Sequence, residues 1–81
     1  MTIAEKKIAL WNEGKEDLGK VLNFALTYDY ESIAHGFSHD RLEEWIHYTD
    51  ESILIIRWPC VGRGRWAHPE KIKMEVCYEE E

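Results

Sequence analysis

Proline and cysteine are scarce in this 81-residue chain, at two residues each. No apolar run approaches the length needed to cross a bilayer, which excludes a helical membrane protein. The opening MTIAEKKIALWNEG carries acids and no apolar block, so it does not read as a signal peptide. The expected location is the cytoplasm, and no membrane partner is expected. Cys60 and Cys77 are too few for a disulfide scaffold and fall on opposite arms of the hairpin argued below, so they read as reduced thiols. Excess positive charge is missing too: ten Lys and Arg stand against sixteen Asp and Glu, a formal net charge of −6 that disfavours a general nucleic-acid binder.

Catalytic and metal motifs are also absent. There is no Cys-x-x-Cys and no His-Glu-x-x-His. His35, His39, Cys60, His68 and Cys77 permit a zinc site on paper, but Gly36 weakens any helix that would align the two histidines. Pairing Cys60 or Cys77 with His35, His39, His47 or His68 gives no ordered nucleophile and base. The dipeptide His39-Asp40 resembles part of the signature of metal-dependent phosphohydrolases, a family whose further helices and ligands this chain is too short to supply. No enzyme, metal or cofactor is expected.

What is present is a large aromatic complement: four Trp, four Tyr and two Phe, each able to bury a wide area in a domain of limited core. The chain reads as one small α+β domain over residues 1–81, frayed at the acidic 79–81. Two or three N-terminal helices are expected to pack on a C-terminal antiparallel β-hairpin or small sheet. Thr2-Ile-Ala-Glu5 reads as a capping box, with Ile8 and Trp11 at helical spacing and Asn12 and Gly14 as a stop. A short strand over residues 6–11 is the alternative. A second helix is expected from about Glu16, with Leu18, Val21, Leu22 and Ala25 on one face, while residues 26–30 fit helix or strand.

Asp29 to Ser38 reads as a bend. A third helix is expected from Ser38 or Asp40, with Asp40 and Glu43 as its capping box. Leu42, Trp45 and Ile46 would form its buried stripe, and Glu43, Glu44 and His47 would face water. The β-branched run Ser52 to Trp58 reads as a strand covered on both faces, stopped by Pro59. Lys71 to Tyr78 alternates, with Ile72, Met74, Val76 and Tyr78 inward and Lys71, Lys73, Glu75 and Cys77 outward.

The segment joining these strands, RWPCVGRGRWAHPEK at 57–71, is the candidate site. Residues 57–73 carry five basic groups against Glu70 alone, a local charge of +4 that leaves −10 for the other 64 residues. Arg63 and Arg65 can address one phosphate or carboxylate, and Trp58 and Trp66 can stack or pack on a partner, as Trp and Arg do at interface hot spots. Arg57, Trp58, Arg63, Arg65 and Trp66 are therefore the expected contact set. The alternative is a solvated loop whose tryptophans fold back onto the core.

The reading favoured is a small acidic, non-catalytic binding protein, an inhibitor or adaptor that occupies a surface on a macromolecular partner. A protein partner is expected, a nucleic-acid-binding protein among the options. Direct binding of nucleic acid or nucleotide through the loop is the alternative. In size and charge the chain resembles small acidic phage proteins that imitate nucleic acid, with Glu13, Glu16, Asp17, Asp29, Glu31, Asp40, Glu43, Glu44, Asp50 and Glu51 as a carboxylate face. Homodimerisation through an apolar strand or helix face is compatible with either role.

Overall fold

A computed structural model of the chain describes residues 1–14 and 30–78, with the side chains of Trp66 and Tyr78 outside that description. The described residues form one α-helix, α1 (Ile3–Gly14), and four strands: β1 (Ser32–Phe37), β2 (Glu43–Tyr48), β3 (Ser52–Arg57) and β4 (Lys73–Tyr78). The strands make one antiparallel sheet in the order β1-β2-β3-β4. The class is α+β, as the sequence implies.

The capping box fixes the start of α1. Thr2 Oγ1 accepts the Glu5 amide at 3.2 Å, and Glu5 Oε1 accepts the Thr2 amide at 3.3 Å and its hydroxyl at 2.9 Å. Residues 6–11 are thus helical, and Ala4, Lys7 and Trp11 are buried at i, i+3 and i+7. The helix lies over β3 and β4. A further tie comes from the β2–β3 turn: Asp50 Oδ2 accepts the Ile3 amide at 2.8 Å, Asp50 Oδ1 accepts the Ser52 amide at 3.0 Å, and Ser52 Oγ accepts the Ala4 amide at 3.2 Å. Two otherwise unsatisfied N–H groups of the first helical turn thereby acquire partners from the sheet.

The expected third helix is not formed. Ser38 to Leu42 is a turn, and Glu43–Tyr48 is strand β2. Asp40 Oδ1 accepts the Leu42 amide at 3.0 Å and the Ser38 hydroxyl at 2.6 Å, so the carboxylate closes a turn instead of capping a helix. Burial alternates strictly along β2: Glu44, Ile46 and Tyr48 are inside, while Glu43, Trp45 and His47 share the opposite face. The residues expected as the helix stripe are therefore split, with Leu42 exposed and Trp45 half-buried. The physical reason is pairing: Glu43–Tyr48 lies between β1 and β3 and bonds to both, which outweighs the helical spacing of Leu42, Trp45 and Ile46. Ser32–Phe37, expected as a bend, is an edge strand with a bulge between Ser32 and Ala34. The expected second helix lies outside the described residues.

The core gathers Ala4 and Trp11 of α1, Ile46 and Tyr48 of β2, Leu54 and Ile56 of β3, and Trp58 and Ile72 beside it. Leu54 and Ile56 are fully buried, while Ile53 and Ile55 on the other face of β3 are half-buried. On β4, Met74 and Val76 pack against the core, and Lys73, Glu75 and Cys77 are exposed, as their alternation implies.

The Asp50 tie is testable. Burial opposes ionisation of Asp50, but the bonds from Ser52 and from the Ile3 amide outweigh it and hold the carboxyl below its ordinary value. Asp50→Ala is expected to cost about 1 kcal/mol in urea unfolding at neutral pH, the usual loss for a helix cap. A lowered carboxyl contributes stability above its unfolded value of 3.8 that is lost as pH falls through the folded value. The gap between variant and wild type should therefore close on acidification.

Candidate partner-binding loop

β3 ends where the Trp58 amide donates to the Leu42 carbonyl at 2.7 Å, and Pro59 follows. Gly62, at φ +72°, turns the chain into a 3₁₀ segment, Gly62–Trp66. A Cβ on Gly64 would sit 3.0 Å from Cys60 Sγ, so the absence of a side chain lets the segment close over that thiol. A second 3₁₀ turn, Pro69–Lys71, is held by the Lys71 amide on the His68 carbonyl and the Ile72 amide on the Pro69 carbonyl. Ile72, buried in the core, returns the chain to β4. The loop that glycine and proline suggest is thus built from two bonded turns.

The five expected contact residues are placed differently from one another. Arg57 lies on the sheet face away from α1, with Nη2 at 2.8 Å from Glu75 Oε1 and Nε at 3.4 Å from Glu43 Oε2. Glu75 is held below the usual carboxylate range by its bond from Arg57. Trp58 is 5% exposed and belongs to the core. Its Nε1 donates to Glu44 Oε1 at 3.1 Å. The Arg65 guanidinium stacks on the Trp58 ring at 4.4 Å and reaches the Phe37 ring at 5.9 Å, two cation–π contacts. Its Nε–H is buried without an acceptor among the described residues, a cost the stack offsets in part. Arg63 is exposed and makes no ion pair among the described residues. Trp66 closes the 3₁₀ segment, and its side chain lies outside the description.

Arg63 and Arg65 therefore do not converge on one anion. Two residues apart on a turn of three residues, they leave the backbone in different directions. Arg65 folds back onto the sheet and Arg63 faces solvent.

Beneath the loop lies a group that composition did not reveal: Glu44, at 5% exposure, with Trp58 and Arg65. Burial pushes the Glu44 carboxyl up, against the Trp58 N–H and the positive fields of Arg65 and His35. The signal was the alternation of EEWIHY, which as a strand places Glu44 on the face of Ile46 and Tyr48.

A cleft of about 310 Å³ opens beside these residues, lined by Ser38, Asp40, Leu42, Glu43, Arg57 and Trp58. The Ser38 hydroxyl and then the Leu42 amide hold Asp40 below its ordinary value. Arg57 is already paired with Glu43, and the lining includes neither His nor Cys. Among the described residues no three His, Cys, Asp or Glu side chains are grouped to hold a metal. His35 meets Phe37 edge-on at 5.5 Å, and both cysteines are free thiols.

The proposed carboxylate face is likewise dispersed. Asp40 and Asp50 close turns, Glu43 binds Arg57 and the Trp45 indole, and Glu44 is buried. Glu16, Asp17 and Asp29 lie outside the described residues. Compared with protein-family models, curated proteins and solved structures, the chain matches none.

The buried carboxylate gives a signed prediction. A raised carboxyl contributes stability that is fully present below its unfolded value of 4.5 and is lost as pH rises through the folded value. Glu44→Gln keeps an oxygen for the Trp58 N–H and stays neutral at every pH. Its thermal midpoint should exceed that of the wild type at pH 7, with the margin shrinking on acidification. A less stable variant at pH 7 would show that attraction to Arg65 outweighs burial.

Proposed function

We propose that the chain is a non-catalytic binding protein that docks on an acidic surface of a protein partner through the 57–71 loop, as an inhibitor or adaptor. The observation that carries this reading is the contrast among its arginines. Arg57 is satisfied by Glu43 and Glu75, and Arg65 is stacked on Trp58. Arg63 alone of the three is both exposed and without an acidic neighbour among the described residues. Exposed Val61, His68 and Lys71 surround it in sequence. The turns that carry Arg63 are bonded before any partner arrives, which lowers the ordering cost of association. Arg57, Trp58 and Arg65 support the loop, and Arg63 makes the contact. A protein partner is favoured over nucleic acid because the net charge of −6 repels a phosphate backbone beyond the loop.

The test is capture from a lysate of the source cell on immobilised protein, with mass spectrometry to identify what is retained. Arg63→Glu, with circular dichroism unchanged, should weaken retention of the partner by about thirtyfold, a hot-spot loss. Undiminished capture would move the site off this loop. Salt-sensitive binding of labelled oligonucleotides by the wild type would favour the nucleic-acid reading instead.

A further inference from the structure

The cleft between the β1–β2 turn and the end of β3 has walls that are fixed before anything enters it. Asp40 Oδ1 accepts the Ser38 hydroxyl and the Leu42 amide, while the Ser38 hydroxyl accepts the Glu43 amide at 3.0 Å. The Ser38 amide donates to the Glu43 carbonyl at 2.8 Å, and the Trp58 amide on the Leu42 carbonyl fastens the turn to β3. Six residues line the space, Ser38, Asp40, Leu42, Glu43, Arg57 and Trp58, and all six are described. At about 310 Å³ it lies at the small end of ligand cavities and admits one long side chain.

The charges of the lining are unequally satisfied. Glu43 gives Oε1 to the Trp45 indole at 2.7 Å and Oε2 to Arg57 at 3.4 Å. Arg57 also holds Glu75, at 2.8 Å. Asp40 differs. Both of its donors from other residues fall on Oδ1, Oδ2 receives none among the described residues, and no cation pairs with it there. Those bonds hold its exposed carboxyl below the ordinary value, so it is ionised at neutral pH. With Glu75 counted, three carboxylates meet one guanidinium around the cleft, and the surplus is negative. Apart from Ser38, the remaining lining is apolar: Leu42, 37% exposed, and Trp58.

We propose that this cleft receives a lysine side chain from a protein partner, with its ammonium on Asp40 and its methylene stem against Leu42 and Trp58. A four-carbon stem with a charged tip matches a lining that combines apolar surface with one unpaired carboxylate. The acceptors select lysine over arginine. A guanidinium binds best across two free carboxylate oxygens, whereas Asp40 offers one, which suits a compact point charge. A neutral or acidic side chain would leave the negative surplus unanswered. The walls are bonded in advance, so little ordering cost opposes entry. The site uses neither Arg63 nor the 3₁₀ segment, and it stands or falls apart from the loop's partner.

Titration of the isotope-labelled chain with a capped Gly-Lys-Gly tripeptide, followed by NMR, tests the assignment. The amide signals of Leu42, Glu43 and Trp58 should shift saturably. The same peptide with its lysine acetylated should leave them unmoved, and the arginine analogue should bind more weakly. Asp40→Asn keeps an oxygen for Ser38 and Leu42 but removes the charge. It should weaken the lysine peptide about fivefold, the upper range for an exposed ion pair. Arg63→Gln should leave that affinity unchanged, and a loss there would place the lysine at the loop and overturn the assignment. So would the absence of saturable shifts, equal binding of the acetylated or arginine peptide, or an Asp40→Asn chain that binds as the wild type does. If circular dichroism shows that Asp40→Asn has lost the fold, the acetylated peptide on the wild-type chain decides the question alone.

Discussion

Trp58 joins the parts of the structure that sequence separates. Its amide donates to the Leu42 carbonyl, its indole N–H to the Glu44 carboxylate, and its ring carries the Arg65 guanidinium. One residue thus connects the β1–β2 turn, the start of β2, the end of β3 and the 3₁₀ segment of the loop. Its ring is too large to be covered by its own hairpin, so β2 lies beneath it and the loop folds over it. The position of every other loop residue depends on that arrangement. Arg65 is drawn inward by the ring, the next turn is short enough to return Ile72 to the core, and Arg63 is left on the outside.

Several of the described acidic residues hold the fold together. Asp50 ties the first turn of α1 to the sheet, Asp40 closes the β1–β2 turn, and Glu43 and Glu75 flank Arg57. Hydrogen bonds or a cation hold Asp40, Asp50 and Glu75 below their ordinary values. Glu44 goes the other way, because burial costs its charge more than the Trp58 N–H and Arg65 return. The two groups respond to acid with opposite signs. Protonation removes stabilising bonds around α1 and the turns, while at Trp58 it removes a buried charge and favours the native packing. Among the described residues the carboxylates are thus divided between turns, an ion pair and one buried site.

How far the sequence is legible varies with how local the deciding force is. α1 is written in Thr2 and Glu5, which meet across one turn without help from the rest of the chain. β3 and β4 are written in β-branched and alternating residues that suit a sheet in any context. Glu43–Tyr48 carries both messages. Leu42, Trp45 and Ile46 have helical spacing, and Glu44, Ile46 and Tyr48 have the period of a strand. The choice is made by β1 and β3, each already extended and within a few residues, which provide hydrogen bonds on both sides. Gly36 and Ser38 obscured β1 in the same way, since an edge strand tolerates glycine where a central one would not.

The loop's position and charge were legible, because arginine and tryptophan clustered among glycines and prolines stand out in an acidic chain. Which of its residues remain available to a partner was not. Arg57 and Arg65 are alike as letters, yet one is held by carboxylates from neighbouring strands and the other by an aromatic face. Trp58 has the composition of a contact residue and the burial of a core residue, because its carboxylate partner comes from β2, which the sequence reading had placed in a helix. The strand at Glu43–Tyr48, where the spacing predicts a helix, thus decides the arrangement of the site. The alternative of tryptophans folded back onto the core describes Trp58, and its buried ring is what Arg65 stacks on. Lys73 and Glu75 read as ordinary solvated charges until the register sets Lys73 opposite Arg57 and gives Glu75 away. Only the paired sheet shows that Glu75 is held by Arg57 while Lys73 has no acidic partner among the described residues.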